Sequence, residues 1–267
     1  MTELKTIDLS VGYQKQRIIK NLTLKIPEGQ IIGLIGPNGS GKSTLLKALA
    51  RILLPHEGTV FLDGEAIQTI ATKEVAKKIA MLAQASDSSI GLTIEEIVSY
   101  GRFPYQKGFG QLSKADYEAI HWAIEATGLE KLANKTIQTL SGGQKQRVWI
   151  AMALAQDTDI VILDEPTTFL DPAHQLEILQ LLQKINQKHE KTIIMSIHDL
   201  NLASRFCDYL YALKEGEMLT CGTPEQVLTN DCLQQLFEID ACLGTFPDST
   251  KPLVISYELR GAAYETE

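Results

Sequence analysis

The chain has 267 residues, enough to bury a real core as one large domain or one domain with a substantial insertion. Apolar residues make up 44% and charged residues 22%, as in a soluble globular protein, and the net charge of −8 argues against a nucleic-acid binder, which needs clustered Lys and Arg. No apolar run approaches the ~20 residues that span a bilayer, and the stretch Met1–Asp8 has neither the apolar core nor the cleavage site of a signal peptide, so a cytoplasmic location is the default expectation.

From residue 4 to residue 60 the pattern predicts strands over 4–9, 22–26 and 31–35, with Pro27-Glu28-Gly29 turning the chain between the last two. Tyr13 falls in the connection after the first strand. The run 31–35 is apolar throughout, as a buried parallel strand should be, and a helix is expected over 44–50. A strand ending in a turn follows at 58–64, then a short helix over 74–78 and a strand over 79–82 that delivers Gln84 to its carboxyl end. Composition changes at Ala85: up to Thr139 the pattern turns helical, at 94–100 and 116–127, with a polar link at 106–111. This reads as a helical subdomain inserted into an α/β core.

Alternation returns after Gly143, with a helix over 144–155, a strand over 160–163 and a helix over 174–188 that carries Leu176, Leu179, Leu182 and Ile185 on one face. A central strand is expected over 192–197, then a helix over 200–207 and a strand over 209–213 that ends in the turn 214–217. Beyond Leu243 the residues Gly244, Pro247 and Pro252 suggest irregular structure before a possible strand at 253–257. Cys207, Cys221, Cys232 and Cys242 include no close pair with zinc-binding spacing and read as buried or idle thiols.

Between the strand at 31–35 and the helix after it stands Gly36-Pro37-Asn38-Gly39-Ser40-Gly41-Lys42-Ser43-Thr44, which fits the phosphate-loop pattern in the strand–turn–helix context its mechanism requires. Gly36, Gly39 and Gly41 let successive N–H groups point inward at phosphate oxygens, and the helix N-terminus adds partial positive charge. Lys42 is expected against the β and γ phosphates, and the Ser43 hydroxyl on Mg²⁺. Asp164 and Glu165 close the strand at 160–163: the first is placed to hold Mg²⁺ through water, the second to orient a water at the γ-phosphate. Two carboxylates at a strand end could equally be a solvated edge, but beside a phosphate loop the catalytic reading is favoured. A second Gly-rich turn, Leu140-Ser141-Gly142-Gly143-Gln144, also runs into a helix and suits an anion, yet carries no lysine.

The segment 140–144 resembles the signature motif of the ATP-binding cassette family, and the resemblance extends over roughly the first 230 residues. It implies that each ATP is sandwiched between the phosphate loop of one subunit and Ser141, Gly142, Gly143 and Gln144 of another, in a head-to-tail homodimer. It also implies that Tyr13 stacks on adenine, that Gln84 touches Mg²⁺ and links the core to the helical subdomain, that Phe169-Leu170-Asp171 contacts the partner, and that His198 contacts the γ-phosphate. Pro172 departs from the small or apolar residue common there and is expected to start the next helix. The fold implied is α/β: a P-loop NTPase core with a mostly parallel sheet flanked by helices, an N-terminal antiparallel β part and an inserted helical subdomain. Residues 1–84 and 140–230 would form the core, 85–139 the subdomain and 231–267 a C-terminal extension.

The segments 100–104, 164–171 with His174-Gln175, and 205–210 look like those of ATPases serving ferric siderophore, haem and cobalamin uptake, the hydroxamate-type siderophore members nearest. The implied function is ATP hydrolysis driving import through a separate integral membrane permease, on the cytoplasmic face of the membrane, with a substrate-binding protein as indirect partner. A soluble cassette ATPase acting on nucleic acid is disfavoured by the net acidity. A P-loop GTPase or kinase is disfavoured because Asn186-Gln187-Lys188-His189 lacks the aspartate of the guanine-reading element. For permease docking, Phe103 and Tyr105 around Pro104 are the candidates, whereas Ile94, Ile97 and Val98 are read as packing.

Overall fold

Ile31-Ile32-Gly33-Leu34-Ile35 is apolar at every position because a strand with both faces covered must hide every side chain, and all five residues are buried. The computed structural model describes residues 2–14, 16–83, 91–106, 111–247 and 249–260. In chain order it contains β1 (Leu4–Tyr13), β2 (Gln16–Lys25), β3 (Ile31–Ile35), α1 (Lys42–Leu49), β4 (Glu57–Leu62), β5 (Glu65–Ala66), α2 (Thr72–Ala76) and β6 (Ile79–Leu82). Then come α3 (Ile94–Ser99), a 3-10 segment Tyr100–Tyr105, α4 (Lys114–Ala126), α5 (Gly142–Ala155), β7 (Ile160–Leu163) and α6 (Pro172–His189). The remainder is β8 (Thr192–Ser196), α7 (Leu200–Phe206), β9 (Tyr209–Lys214), β10 (Glu217–Gly222), α8 (Pro224–Val227), α9 (Asn230–Phe237), β11 (Ile239–Thr245) and β12 (Pro252–Leu259).

Among the described residues, six strands form the central sheet in the order β10-β9-β3-β8-β7-β6, parallel except for the edge strand β10. The two-residue period of the strands sorts their side chains into two cores. Ile31 and Ile35, Val161 and Leu163, and Ile193 and Met195 join one core with residues of α3 to α7. Ile32, Leu34, Ile160, Ile162 and Ile194 join the other, with Leu45, Leu46 and Leu49 of α1 and the inner face of an antiparallel sheet ordered β2-β1-β4-β5. Full burial of one such leucine or isoleucine stabilises the fold by about 1.5–3 kcal/mol, so the loop that precedes α1 is anchored by three of them.

The helices between β6 and α5 pack as one unit. Ile94, Ile97, Val98, Ile120, Ala123 and Ile124 are buried with Val148 and Ala151 of α5. Thr93 with Glu96 and Ser113 with Asp116 form reciprocal capping boxes at the starts of α3 and α4. Arg102, also buried, donates to Asp116 Oδ1 at 2.8 Å and to the Ala155 carbonyl at 2.7 Å, which ties the 3-10 segment to α4 and α5.

Tyr13 is the last residue of β1 rather than part of a connection, because β1 and β2 pair out to Tyr13 and Gln16. The helix at 172–189 begins with Pro172 at its first turn, as expected from a residue with no N–H to donate. Past the turn at 214–217 the chain makes a further strand, β10, whose half-polar sequence suits a sheet edge. The strand expected at 253–257 is present as β12, but Gly244 lies inside β11 instead of in irregular structure: β11 and β12 form a hairpin in which Pro252 opens its strand opposite Thr245, a position that tolerates a missing donor.

Candidate functional site

β7, β8 and β3 are consecutive neighbours in the parallel sheet, with Leu34 opposite Ser196 and Leu163 opposite Met195. Their carboxyl ends therefore lie side by side, and the chain leaving each supplies one part of the site: Gly36–Thr44 after β3, Asp164 and Glu165 after β7, and His198 after β8.

The loop after β3 folds as a cradle. Gly36 has φ +149°, and a Cβ there would lie 2.1 Å from the Leu213 carbonyl oxygen, so only glycine fits. Gly39 and Gly41 also have positive φ. Lys42 is buried and its Nζ donates to the Gly36 and Pro37 carbonyls at 2.8 and 3.0 Å. Burial pushes the Lys42 ammonium down from the usual lysine range, while the charges of Glu165 and Asp164 act in the opposite sense. Ser40 Oγ is buried and, among the described residues, has no hydrogen-bond partner, so the loop holds an unmet polar group. An unmet hydroxyl, a buried cation and a loop too tight for side chains together fit a polyanion.

Two carboxylates face this loop. Asp164 Oδ1 accepts from Ser43 Oγ at 2.9 Å and from Ser196 Oγ at 2.8 Å. Ser196 in turn accepts from the Glu165 N–H at 2.7 Å. The Glu165 carboxylate accepts from Thr168 Oγ1 at 3.0 Å, and its other oxygen lies 2.8 Å from His198 Nε2. Burial alone would raise the pKa of this carboxyl, but the His198 and Thr168 hydrogen bonds and the nearby His198 and Lys42 charges outweigh it and hold it below the usual glutamate range. Ser43 and Asp164 supply hard oxygen donors of the kind that Mg²⁺ prefers. Ser196 and Thr168 were not anticipated. A serine closing the apolar Ile193-Ile194-Met195 run was the available signal, since a hydroxyl buried in a central strand needs partners there.

Ser141–Gln144 stands apart. Among the described residues no hydrogen bond joins it to the phosphate loop; Ser141 caps α5 through the Gln144 N–H, and Gln144 returns the bond to the Ser141 N–H. Its neighbours are on the loop into α6. A Cβ on Gly143 would lie 2.4 Å from the His174 ring, and His174 Nδ1 is 2.7 Å from Asp171 Oδ2, the carboxylate that caps α6. Tyr13 is half-exposed, and its hydroxyl accepts from Lys47 Nζ of α1 at 3.3 Å. Gln84 lies outside the described residues. On the helical side Phe103 is exposed, whereas Tyr105 is half-buried with the Arg102 guanidinium 3.8 Å from its ring centroid. Among the described residues no helix is long and apolar enough to cross a membrane.

A polyanion cradle at a sheet's carboxyl edge, with an acidic pair and a histidine on the adjoining strands, defines a P-loop nucleoside triphosphatase. The chain belongs to the ABC transporter family, whose profile matches residues 19–168. It is 52% identical to the iron(3+)-hydroxamate import ATP-binding protein FhuC of Bacillus subtilis (strain 168), over 97% of this chain and 96% of that protein. Among solved structures it resembles a metal-chelate type ABC transporter in an inward-facing conformation, with TM-score 0.81 and 27% identity over 95% of this chain and 96% of that one. A dimeric, post-hydrolysis ATP-binding cassette bound to ADP and Pi is 33% identical with TM-score 0.70, over 82% of this chain and 98% of that one. As a member of this family the chain is an ATP-binding ATPase.

Proposed function

We propose that the chain is the ATP-hydrolysing subunit of an importer for an iron–siderophore complex, working as a head-to-tail homodimer on the cytoplasmic face of the membrane. It would energise a separate integral membrane permease that receives its cargo from a substrate-binding protein. The observation that carries hydrolysis is the pairing of Glu165 with His198 at adjoining strand ends, across from Lys42. The iron–siderophore cargo rests on likeness to the hydroxamate import protein.

The geometry and the family resemblance together support the following division of labour. The loop Gly36–Thr44 binds the phosphates, with Lys42 exchanging backbone carbonyls for phosphate oxygens and Tyr13 facing the base. Mg²⁺ would be held by Ser43 and Asp164, with Gln84 a third candidate, and supplies charge neutralisation on the phosphates. Glu165, held ionised by its hydrogen bonds, orients an in-line water more by position than by basicity. His198 holds the γ-phosphate geometry. Ser141, Gly142, Gly143 and Gln144, set apart from this cradle within one chain, would close on the nucleotide of the second copy, excluding water and strengthening each charge contact. Hydrolysis leaves two mutually repelling anions where one molecule bridged the copies, and the dimer opens. The helical unit between β6 and α5 would carry that motion to the permease, with Phe103 its most exposed aromatic among the described residues.

Co-expression with a multi-spanning permease tests this reading: the chain should co-purify with it, and ATP turnover should rise when a ferric hydroxamate and its binding protein are added. Turnover indifferent to cargo, or no association with any permease, would overturn it.

A further inference from the structure

Phe169 is 93% exposed, yet its backbone sits in the left-handed region at φ +65°, which a bulky aromatic rarely adopts. The strain is held in place: the Glu165 carbonyl accepts from the Thr168 N–H, and Gln175 Nε2 donates to the Thr167 and Leu170 carbonyls on either side of the phenyl-bearing residue. The chain thus spends local order on presenting an aromatic ring to solvent, where the ring contacts nothing of its own molecule that would repay it.

His198 of the Glu165–His198 pair also lines a hollow of about 360 Å³, together with residues 199–201, Phe237, Ile239, Val254 and Tyr257. The start of α7 forms one part of its wall, and the end of α9 with the β11–β12 hairpin forms the other. Asn201 clamps the hairpin to α7 by donating to the Val254 carbonyl at 3.0 Å and accepting from its N–H at 2.7 Å, and Ser204 Oγ donates to the Pro252 carbonyl. Tyr257, 64% exposed, forms the open lip of the hollow.

We infer that Phe169 of each copy inserts into this hollow on the other, so that the β11–β12 hairpin is part of the dimer interface. The inference rests on the head-to-tail reading above and assigns it a specific anchor. The projection follows Glu165 by four residues and the hollow is lined by its partner His198, so both adjoin the same catalytic pair, and a two-fold axis brings each against its complement twice. The occupant is a second copy because this chain itself offers the matching group: an apolar ring that fits well within the hollow, on a loop that leads directly from Glu165. Closure around ATP would then require the hairpin to be seated on α7, immediately beyond His198.

The test uses the full chain with Glu165→Gln, which should accumulate the ATP-bound dimer, and with the exposed Cys221 and Cys242 changed to serine. Sedimentation with ATP should show a dimer in this parent. Adding Phe169→Ala should weaken dimerisation by about 10- to 100-fold, as loss of a central aromatic anchor does, with binding of a fluorescent ATP analogue to the monomer unchanged; Phe169→Leu should restore most of the loss. Mixing Phe169→Cys chains with Tyr257→Cys chains and a short bifunctional thiol reagent should give cross-linked dimers only in the mixture and only with ATP. If the parent dimerises but the mixture does not cross-link and Phe169→Ala dimerises equally well, the inference is overturned while the sandwich stands. If the parent remains monomeric with ATP, the sandwich fails and the inference with it.

Discussion

His198 Nε2 lies 2.8 Å from Oε1 of Glu165, a contact made by two strand ends that are neighbours in the sheet but separated by the whole of α6 and β8 in sequence. It aims the carboxylate, and it gives the two residues distinct tests. Glu165→Gln should bind ATP with near-normal affinity, lose turnover by at least about 100-fold and accumulate as a dimer. His198→Ala should lower kcat with a smaller effect on KM. Steady-state hydrolysis and nucleotide binding check both.

Ser196 binds Asp164 and Glu165 at once, as donor to the first and acceptor from the second. Ser196→Ala removes this link without adding bulk. Leaving the buried Glu165 N–H without its partner should cost about 1–3 kcal/mol in denaturant unfolding. Because both carboxylates lose a fixed reference, kcat should fall about 10-fold or more while KM for ATP moves less. A fall in KM alone would contradict the positioning role.

Gly143 has no room for a side chain, since the His174 ring occupies the place of its Cβ. Gly143→Ala must push His174 away from Asp171 and shift the start of α5. Hydrolysis should drop strongly, whereas an isolated chain should still bind ATP, because Gly36–Thr44 is untouched. The double variant Gly143→Ala with His174→Ala should recover part of the loss by relieving the collision.

Cys207 and Cys232 are buried, which pushes their thiols up to about 12 and about 11, while Cys221 and Cys242 are exposed. Since only the thiolate reacts, a soluble disulfide reagent at pH 8 should label the second pair in the folded protein and all four only in denaturant. Rapid labelling of Cys207 under native conditions would contradict the burial.

Arg102 and Asp116 form a buried ion pair inside the helical unit. Burial would raise the Asp116 pKa, but hydrogen bonds from Ser113 and Arg102 outweigh it and hold the carboxyl below the usual aspartate range. A depressed folded-state pKa means this stabilisation is present above the unfolded-state value and is lost as pH falls through the folded-state value. Arg102→Leu leaves a buried charge unpaired and should cost about 3–5 kcal/mol, with Arg102→Leu and Asp116→Leu together costing less. Urea midpoints at neutral pH and near pH 3 separate the two effects.

The β3 strand, the glycine loop and the Asp164-Glu165 pair were legible because each is local: a run of apolar residues, a fixed spacing, a charge at a strand end. Of the terminal hairpin only the second strand was legible; its partner β11 was not, because Gly244 and Pro252 look like breakers until the pairing of Thr245 with Pro252 shows that neither position needs what those residues lack. The contact between Arg102 and the Tyr105 ring was hidden for a similar reason, since only the fold brings the two together.

By itself, then, the sequence determined that a phosphate-loop pattern follows the first parallel strand and that carboxylates close a later one, because those requirements are written in residues that are neighbours along the chain. Tertiary structure alone decided that Ser196 fixes both carboxylates, that His174 sits against Gly143, and that the terminal hairpin shares a hollow with His198. The order β3-β8-β7 sets neighbours that chain position does not, and hydrogen bonds and packing act over ångströms of space irrespective of separation in sequence.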